Sequence, residues 1–318
     1  MCSIGQTPVL WIVYQTEYGM NWPDGTPSTV GTLLTSIAST CSIRGYIRGQ
    51  IDMLYGAMNN PMIDIIQEIA IFSDLGFDFL DLTIEPEETY SATLNVRKVA
   101  KALESANMFA VGHTAWYLPI ASPFPELREA ALRELERCMK VFRDLGVSKM
   151  NLHPYMRVPL HSEDWIIGQN VEALARLVDL GKKLKVEVML ENMPNFSRVS
   201  QIKPILEAVP DAGFLLDVGH ANLDTPYNRS EELLAHFGTR LRHVHVSDNR
   251  GGHDDLHLPL GVGTVNWLNI IRLLKNVGYD GTVTIEVFGD DEEYLVMSRN
   301  KFQRLWETTE PGEPVEPV

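Results

Sequence analysis

The sequence predicts an α/β protein folded as a single TIM barrel, with eight parallel strands in its core. Eight short runs of β-branched or aromatic residues alternate with longer amphipathic stretches between residues 50 and 307. That length matches the roughly 250 residues of a typical barrel. A doubly wound open sheet is the competing architecture, but no GxGxxG follows the first strand, as dinucleotide-binding sheets of that kind require.

The strands are predicted from short apolar runs that end at Gly, Pro, Asn or Asp. Parallel strands covered on both faces are nearly continuously apolar, which fits these runs. In order they are MLYGA from Met53, FDFLDLT from Phe77, MFAVGH from Met108, KMNLHP from Lys149, VEVMLE from Val186, GFLLDVGH from Gly213, LRHVHVSD from Leu241 and TVTIEVF from Thr282.

A helix is predicted after each strand, from apolar residues spaced three and four apart. Pro61 is placed near the first turn of the first helix, and Gly278 ends the seventh. The helical stretches are NPMIDIIQEIAIFSDLG from Asn60, LNVRKVAKALESAN from Leu94, PELREAALRELERCMKVFRDLG from Pro125, NVEALARLVDLGKKLK from Asn170, IKPILEAV from Ile202, SEELLAHFG from Ser230, NWLNIIRLLKNVG from Asn266 and DEEYLVMSRNKFQRLW from Asp291.

The two ends of the chain lie outside this pattern. Residues 1–49 are rich in Ser, Thr and Gly and show no sustained period of 2 or 3.6, which predicts a poorly ordered N-terminal extension. Residues 308–318 are rich in Pro and Glu and predict a flexible tail. The catalytic domain is therefore expected within residues 50–307.

Composition limits the partners and the compartment. Lys and Arg number 27 against 42 Asp and Glu, a formal charge of −15 that disfavours nucleic acid and anionic membranes. The three cysteines form no CxxC pair, which suits a reducing compartment. No apolar run approaches the roughly 18 residues that span a bilayer, and no export signal is evident. These features predict a cytoplasmic protein without a membrane partner.

Imidazole and carboxylate side chains follow the predicted strands. In a TIM barrel the functional residues lie at the C-terminal ends of the strands. Together these two groups suit Zn²⁺, Mn²⁺, Fe²⁺ or Co²⁺, and the strand ends offer more candidates than the four to six ligands of one ion. The candidates are His113, His153, Glu191, Asp217, His220, His245, Asp248 and Glu286, with His253, Asp254, Asp255 and His257 in the loop after the seventh strand.

Burial separates the stronger candidates from the weaker ones. Glu191, Asp217 and Glu286 each follow a nearly continuous apolar run, where a carboxylate without a partner is costly. A single His at a strand end is more often a hydrogen-bonded structural residue than a ligand. His243 and His245 share one face of a strand, and His245 is favoured as the ligand because it lies nearer the strand end. For His243 a packed or supporting role is expected.

These residues resemble the xylose-isomerase-like TIM barrels, which include sugar and sugar-phosphate isomerases and epimerases, inosose dehydratases and endonuclease IV. The motifs MLEN, LLDVGHAN, HVSDN, DLHLPLGVGTVNW and TIEVF carry the resemblance over roughly residues 53–305. It implies one divalent ion on Glu191, Asp217, His245 and Glu286. It also implies an isomerase or epimerase in which the ion polarises the substrate carbonyl, while Glu191 and Glu286 remove and return a proton through an enediolate.

The resemblance to endonuclease IV leaves a second reading open, a hydrolase of phosphodiesters with up to three zinc ions. The segments NMPNF and VGHAN differ from the sequences that usually surround these ligands in the nucleases. The strand-end loops also offer few basic residues for binding a DNA backbone. A dehydratase related to the inosose enzymes is a third reading. The further ligands that a multinuclear site implies are His113, His153, His220, Asp255 and His257.

The expected substrate is a small sugar, polyol or sugar phosphate. Side chains around the ion are candidates for hydroxyl contacts, a ring that stacks on the sugar face, or a bidentate phosphate contact. The sequence leaves a homo-oligomer open. The candidate substrate-binding residues are His113, His153, His220, Asn192, Trp116, Glu85 and Arg250.

Overall fold

The computed structural model describes residues 53–289 and 291–312. Within them eight parallel strands form a closed barrel in which each strand pairs with its neighbours along the chain and the last pairs with the first, so the predicted TIM barrel is confirmed. The predicted extension 1–49 lies outside the described residues. The strands are β1 Leu54–Met58, β2 Phe79–Ile84, β3 Phe109–Thr114, β4 Lys149–Leu152, β5 Glu187–Glu191, β6 Gly213–Asp217, β7 Leu241–Val246 and β8 Thr282–Ile285.

A helix follows every strand of the described barrel. The helices bury their apolar stripes against the outer face of the strands, in one large cluster of buried side chains. They are α1 Ile65–Asp74, α2 Val96–Ala106, α3 Pro125–Asp144, α4 Glu163–Leu184, α5 Val199–Ala208, α6 Ser230–Phe237, α7 Trp267–Asn276 and α8 Glu293–Thr308. None of the helices in the described ranges is long and apolar enough to cross a membrane.

Two helices begin where side chains cap them rather than where the apolar period suggests. Helix α1 starts at Ile65, after Pro61, because the Asp64 carboxylate accepts hydrogen bonds from the first free N–H groups. Helix α4 starts seven residues before the predicted Asn170. There Ser162 caps the helix, and its first turn carries acidic residues that favour a helix N-terminus.

The barrel interior has an apolar floor. Phe79, Val111, Met189 and Leu215 form a separate buried cluster inside the ring of strands. The Phe79 ring fills the space beside Gly56, where an added Cβ would lie 2.2 Å from a ring carbon. Only glycine leaves room for that ring. Above this floor the inward-facing positions become polar.

The last helix reaches residue 308, where the flexible tail is predicted to begin. Thr308 is the last residue of α8, and the buried Thr309 donates its N–H to the Leu305 carbonyl. The remainder of the predicted tail, residues 313–318, lies outside the described residues.

Candidate metal centre at the barrel mouth

Four of the predicted ligands meet above the polar layer. Glu191 and Asp217 are the last residues of β5 and β6, His245 is the penultimate residue of β7, and Glu286 follows β8 directly. All four are at most 5% exposed. We call these four residues the central cluster. They come together because parallel neighbouring strands end at the same rim of the barrel.

The Nδ1 atom of His245 lies among the three carboxylates of the central cluster. It is 3.5 Å from Glu191 Oε1, 3.8 Å from Asp217 Oδ2 and 3.4 Å from Glu286 Oε2. Its other ring nitrogen, Nε2, points to the opposite side. One imidazole nitrogen and three carboxylate oxygens thus surround a common space.

The donor atoms of the central cluster fit a divalent cation. Within the described residues, His245 Nδ1, Asp217 Oδ2 and Glu286 Oε2 have no hydrogen-bond partner, although each is buried. These atoms lie within 4.8 Å of one another, a separation that a shared ion with ligand distances near 2.1 Å spans. Buried carboxylates without partners are costly, and an ion would supply the missing charge.

Charge repulsion in the central cluster appears in the pKa of Asp217. Burial, together with the nearby Glu286 and Glu191 carboxylates, raises the pKa of Asp217 to about 7. Burial also acts to raise the pKa of Glu286, but His245 and other imidazoles outweigh it and hold that pKa at about 2. Glu286 is therefore ionised at neutral pH.

A second group of predicted ligands lies beside the first. Asp255 Oδ2 is 3.1 Å from His220 Nε2 and 3.2 Å from His257 Nε2. The opposite nitrogens face backbone carbonyls, with His220 Nδ1 2.9 Å from Asn192 O and His257 Nδ1 2.9 Å from Glu286 O. We call His220, Asp255 and His257 the flanking cluster.

The imidazoles of the flanking cluster are charged when no ion is bound. Burial lowers the pKa of His257, but the adjacent Asp255 carboxylate more than reverses this and raises the pKa to about 9. The same carboxylate and Asp217 hold the pKa of His220 well above its usual value. Two imidazolium groups thus share one carboxylate, and the flanking cluster carries an excess of positive charge.

His113 and His153 lie on the other side of the central cluster. His153 Nε2 is 3.1 Å from Glu191 Oε2, and the same oxygen accepts a 2.9 Å hydrogen bond from Asn151 Nδ2. The His113 ring is stacked on the His245 ring, with centroids 5.4 Å apart. Glu191 is therefore held through one oxygen while the other faces the shared space.

Sequence reasoning missed Asp81 and Asn151. Asp81 is in the middle of β2 and 1% exposed, and its Oδ2 lies 3.0 Å from His245 Nε2. Asn151 occupies an inward position on β4 and holds Glu191. The signal was present for Asp81, since FDFLDLT places a carboxylate inside an apolar run just as VEVMLE does. His243 has the predicted supporting role, with both ring nitrogens hydrogen-bonded to threonine hydroxyls.

The predicted substrate-binding side chains differ in their exposure and in the contacts that they already make within the protein. Glu85 accepts a 2.8 Å hydrogen bond from Tyr117, and Trp116 is 40% exposed with the Arg157 guanidinium 4.7 Å above its ring. Arg250 is exposed. Both amide atoms of Asn192 bond the main chain of Asp217, at 2.8 and 2.9 Å. These hydrogen bonds show that Asn192 positions Asp217, and its predicted contact with the substrate stays a prediction.

Residues 69–305 match the family model described as xylose isomerase-like TIM barrel. An uncharacterized protein of Methanocaldococcus jannaschii is 35% identical over 187 residues, which cover 52% of this chain and 63% of that relative. The aligned region is thus just under two thirds of that relative's length. L-ribulose-5-phosphate 3-epimerase UlaE of Salmonella typhimurium is 24% identical over 241 residues, 72% of this chain and 84% of its own.

Solved structures of the same architecture superimpose on most of the chain. A D-tagatose 3-epimerase-like protein matches with a TM-score of 0.71 and 25% identity, over 80% of this chain and 97% of that one. The 3-keto-D-glucoside 4-epimerase YcjR of E. coli matches with a TM-score of 0.65 and 17% identity, over 80% of this chain and 99% of its own. At 17% identity the second match speaks for the fold alone.

Proposed function

The chain belongs to the xylose isomerase-like TIM barrel family, and we propose that it is a divalent-metal-dependent epimerase or isomerase of a small sugar, polyol or sugar phosphate. One observation carries the proposal: three buried carboxylates and one imidazole nitrogen surround a space, and three of these donors have no hydrogen-bond partner in the described residues. The names of the Salmonella relative and of the D-tagatose 3-epimerase-like structure support a sugar substrate.

The central cluster would hold Mn²⁺, Zn²⁺, Co²⁺ or Fe²⁺ through Glu191, Asp217, His245 and Glu286. When bound, such an ion polarises a carbonyl and acidifies the adjacent C–H. One ion per chain satisfies the four donors of the central cluster. The same residues then have to move the proton.

Glu191 and Glu286 are the proposed acid–base pair. One carboxylate removes the proton from the carbon next to the substrate carbonyl, leaving an enediolate, and the other returns a proton to the opposite face or to the neighbouring carbon. Asn151 and His153 orient Glu191 through its Oε2 atom. Glu286 Oε2 is buried and has no hydrogen-bond partner in the described residues. This asymmetry favours Glu286 as the group that approaches substrate directly.

The rim of the mouth would bind the rest of the sugar. Glu85 and Trp116 offer a carboxylate and an aromatic face, while His153 and His220 lie beside the proposed ligand Glu191. Aromatic faces stack on sugar rings, and carboxylates bind hydroxyl pairs. Arg250 is the candidate for a phosphate contact in a sugar phosphate.

Solvent deuterium exchange tests the proposal. Purified protein loaded with Mn²⁺ is incubated in D₂O with a panel of ketoses, aldoses and their phosphates, and incorporation at the carbon next to the carbonyl is followed by NMR. We expect exchange with at least one sugar and a loss of about 100-fold or more for Glu286→Gln, whose circular dichroism stays that of the wild type. A loaded wild type that exchanges no sugar would refute the proposal, and a dehydrated product would indicate a lyase instead.

The flanking cluster supports one alternative, a multi-metal hydrolase of phosphodiesters. Both Nε2 atoms converge on Asp255, and both Nδ1 atoms face carbonyls, an arrangement that leaves Nε2 as the ligand nitrogen. Two or three ions per chain, with cleavage of a phosphodiester substrate, would favour this alternative over the epimerase.

A further inference from the structure

The buried Asp81 has no role in the proton transfer described above, yet it lies in the middle of the barrel beside the proposed ligand His245. Its Oδ2 atom is 3.0 Å from His245 Nε2, on the side of the ring away from the three carboxylates, and Nε2 has no aligned hydrogen-bond partner in the described residues. The same oxygen accepts a 2.8 Å hydrogen bond from the Thr284 hydroxyl. Asp81 comes from β2 and His245 from β7, so the contact crosses the interior of the barrel.

We propose that Asp81 is a positioning residue, which accepts the Nε2–H of His245 when a bound metal orients the ring and so fixes Nδ1 as the nitrogen that faces the metal. The inference rests on the proposed metal-dependent function. Metal-bound histidines commonly donate their second N–H to a carboxylate, which fixes the tautomer and ring orientation and makes the ligand nitrogen more basic. Here the two sides of the ring are unequal, since Nδ1 faces Glu191, Asp217 and Glu286.

A directional chain of hydrogen bonds makes Asp81 an acceptor. His243 Nδ1 is 2.7 Å from Thr282 Oγ1, and His243 Nε2 is 2.9 Å from Thr284 Oγ1. Because the Thr284 hydroxyl donates its single proton to Asp81, it must accept from the Nε2–H of His243.

Asp81 has a second histidine neighbour that does not compete for this role. His113 Nδ1 is 3.6 Å from Asp81 Oδ1, which is too far for a hydrogen bond, and neither atom has a partner in the described residues. Asp81, His113 and His245 could also hold an ion themselves, since one donor atom of each lies within 4.8 Å of the others. The experiment must therefore separate a positioning residue from a ligand.

The test measures Zn²⁺ affinity and stoichiometry by calorimetric titration of the metal-free protein. Loss of an outer partner of a metal-bound histidine costs about 10–100-fold in affinity. We expect a loss near the upper end of that range for Asp81→Ala and near the lower end for Asp81→Asn, whose neutral oxygen accepts more weakly. Thr284→Val, which keeps the carboxylate but removes one donor to it, is expected to cost a few-fold. It serves as the second variant should replacements of Asp81 fail to fold.

Thr83→Val is the matched control. Thr83 follows Asp81 by two residues on β2, is buried, and its hydroxyl has no partner in the described residues. We expect its Zn²⁺ affinity to stay within about two-fold of the wild type, since the Thr83 hydroxyl makes no hydrogen bond to a proposed ligand in the described residues. This control measures what a change on the same strand does by itself.

An NMR measurement separates a specific loss of the His245 tautomer from a general disturbance of the fold. In the Zn²⁺-loaded wild type, the Nε2–H of His245 should give a slowly exchanging ¹H–¹⁵N signal, which should be lost in Asp81→Ala and retained in Thr83→Val. Unchanged affinity in Asp81→Asn and Asp81→Ala would overturn the inference, and so would a loss of one bound ion, which would make Asp81 a ligand. A wild type that binds no metal would instead refute the proposed function, and the two failures are distinct.

Discussion

The central and flanking clusters lie side by side at the barrel mouth but differ in their ratio of carboxylates to imidazoles. In the central cluster three carboxylates surround one imidazole nitrogen, and several donor atoms have no partner in the described residues. In the flanking cluster two imidazoles share the Asp255 carboxylate, and the ring nitrogens are all in contact with acceptors. Carboxylates outnumber imidazoles in the first cluster, and imidazoles outnumber carboxylates in the second.

This difference shows which residues need an ion. A cation entering the central cluster gains ligands that have no other partner and relieves repulsion between carboxylates. A cation has to displace a proton from His245 in the central cluster, and protons from both His220 and His257 in the flanking cluster, because neighbouring carboxylates raise the pKa values of all three imidazoles. The family resemblance alone treats the two sets of residues alike, whereas their charge balance separates them.

The largest expected effect is on metal affinity. Asp217→Asn removes a ligand oxygen from the central cluster and should lower Mn²⁺ affinity by about 100-fold or more, beyond what loss of an outer partner costs. Asp255→Asn removes the matching group from the flanking cluster and should change that affinity by less than about three-fold. Calorimetric titration of the metal-free proteins compares them. Equal losses in the two variants would erase the distinction between the clusters.

The same pair of variants should have stability effects of opposite sign in the metal-free protein. Asp217→Asn removes a buried carboxylate that its neighbours repel, so it should raise Tm by a few degrees, at about 2–4 °C per kcal/mol. Asp255→Asn leaves two buried imidazolium groups without their carboxylate, which costs about 1–3 kcal/mol and lowers Tm. Thermal unfolding in the presence of a chelator measures both. A drop in Tm for Asp217→Asn would show that the central cluster is compensated without an ion.

The smallest effect concerns Glu68, a buried carboxylate outside both clusters. Burial raises the pKa of Glu68 to about 8, although one oxygen accepts the N–H of Asn60 at 2.9 Å. Because the folded-state pKa lies above the unfolded value, this group lowers stability progressively as pH rises from about 4.5 to about 8. Glu68→Gln should therefore raise Tm by a few degrees near pH 9 and leave it nearly unchanged near pH 4.

The exposed Glu104→Gln, in the adjacent helix α2, is the control for this pH dependence. Its Tm should follow that of the wild type at both pH values, because an exposed carboxyl stays in water in both states. A Glu68→Gln profile parallel to the wild-type profile would show that burial does not perturb this carboxyl.

The strand-end residues could be predicted from sequence because the barrel places every strand end at one rim. Glu191, Asp217, His245 and Glu286 followed from counting strands and noting carboxylates after apolar runs. Asp81 was overlooked because only the last residues of each strand were considered as candidate ligands, and Asp81 lies in the middle of its strand. The start of α4 was misplaced because Ser162 caps a turn that has little apolar character.

The arrangement of hydrogen bonds lay beyond sequence reasoning. Asn192 could be placed beside Glu191 from the MLEN motif, but its bonding to the main chain of Asp217 depends on the spacing of β5 and β6. The division into two clusters likewise depends on which way each imidazole turns. The histidine and carboxylate residues in the sequence predicted a metal site, but the orientation of each imidazole ring determined which carboxylates it contacts.

The most direct measurement is the number of Mn²⁺ ions retained per chain after saturation and desalting at about pH 7, where His257 is still protonated. Elemental analysis should find about one ion in the wild type and in Asp255→Asn, and close to none in Asp217→Asn. Two or three ions in the wild type, or an ion lost from Asp255→Asn but kept by Asp217→Asn, would contradict the assignment of the central cluster as the metal site.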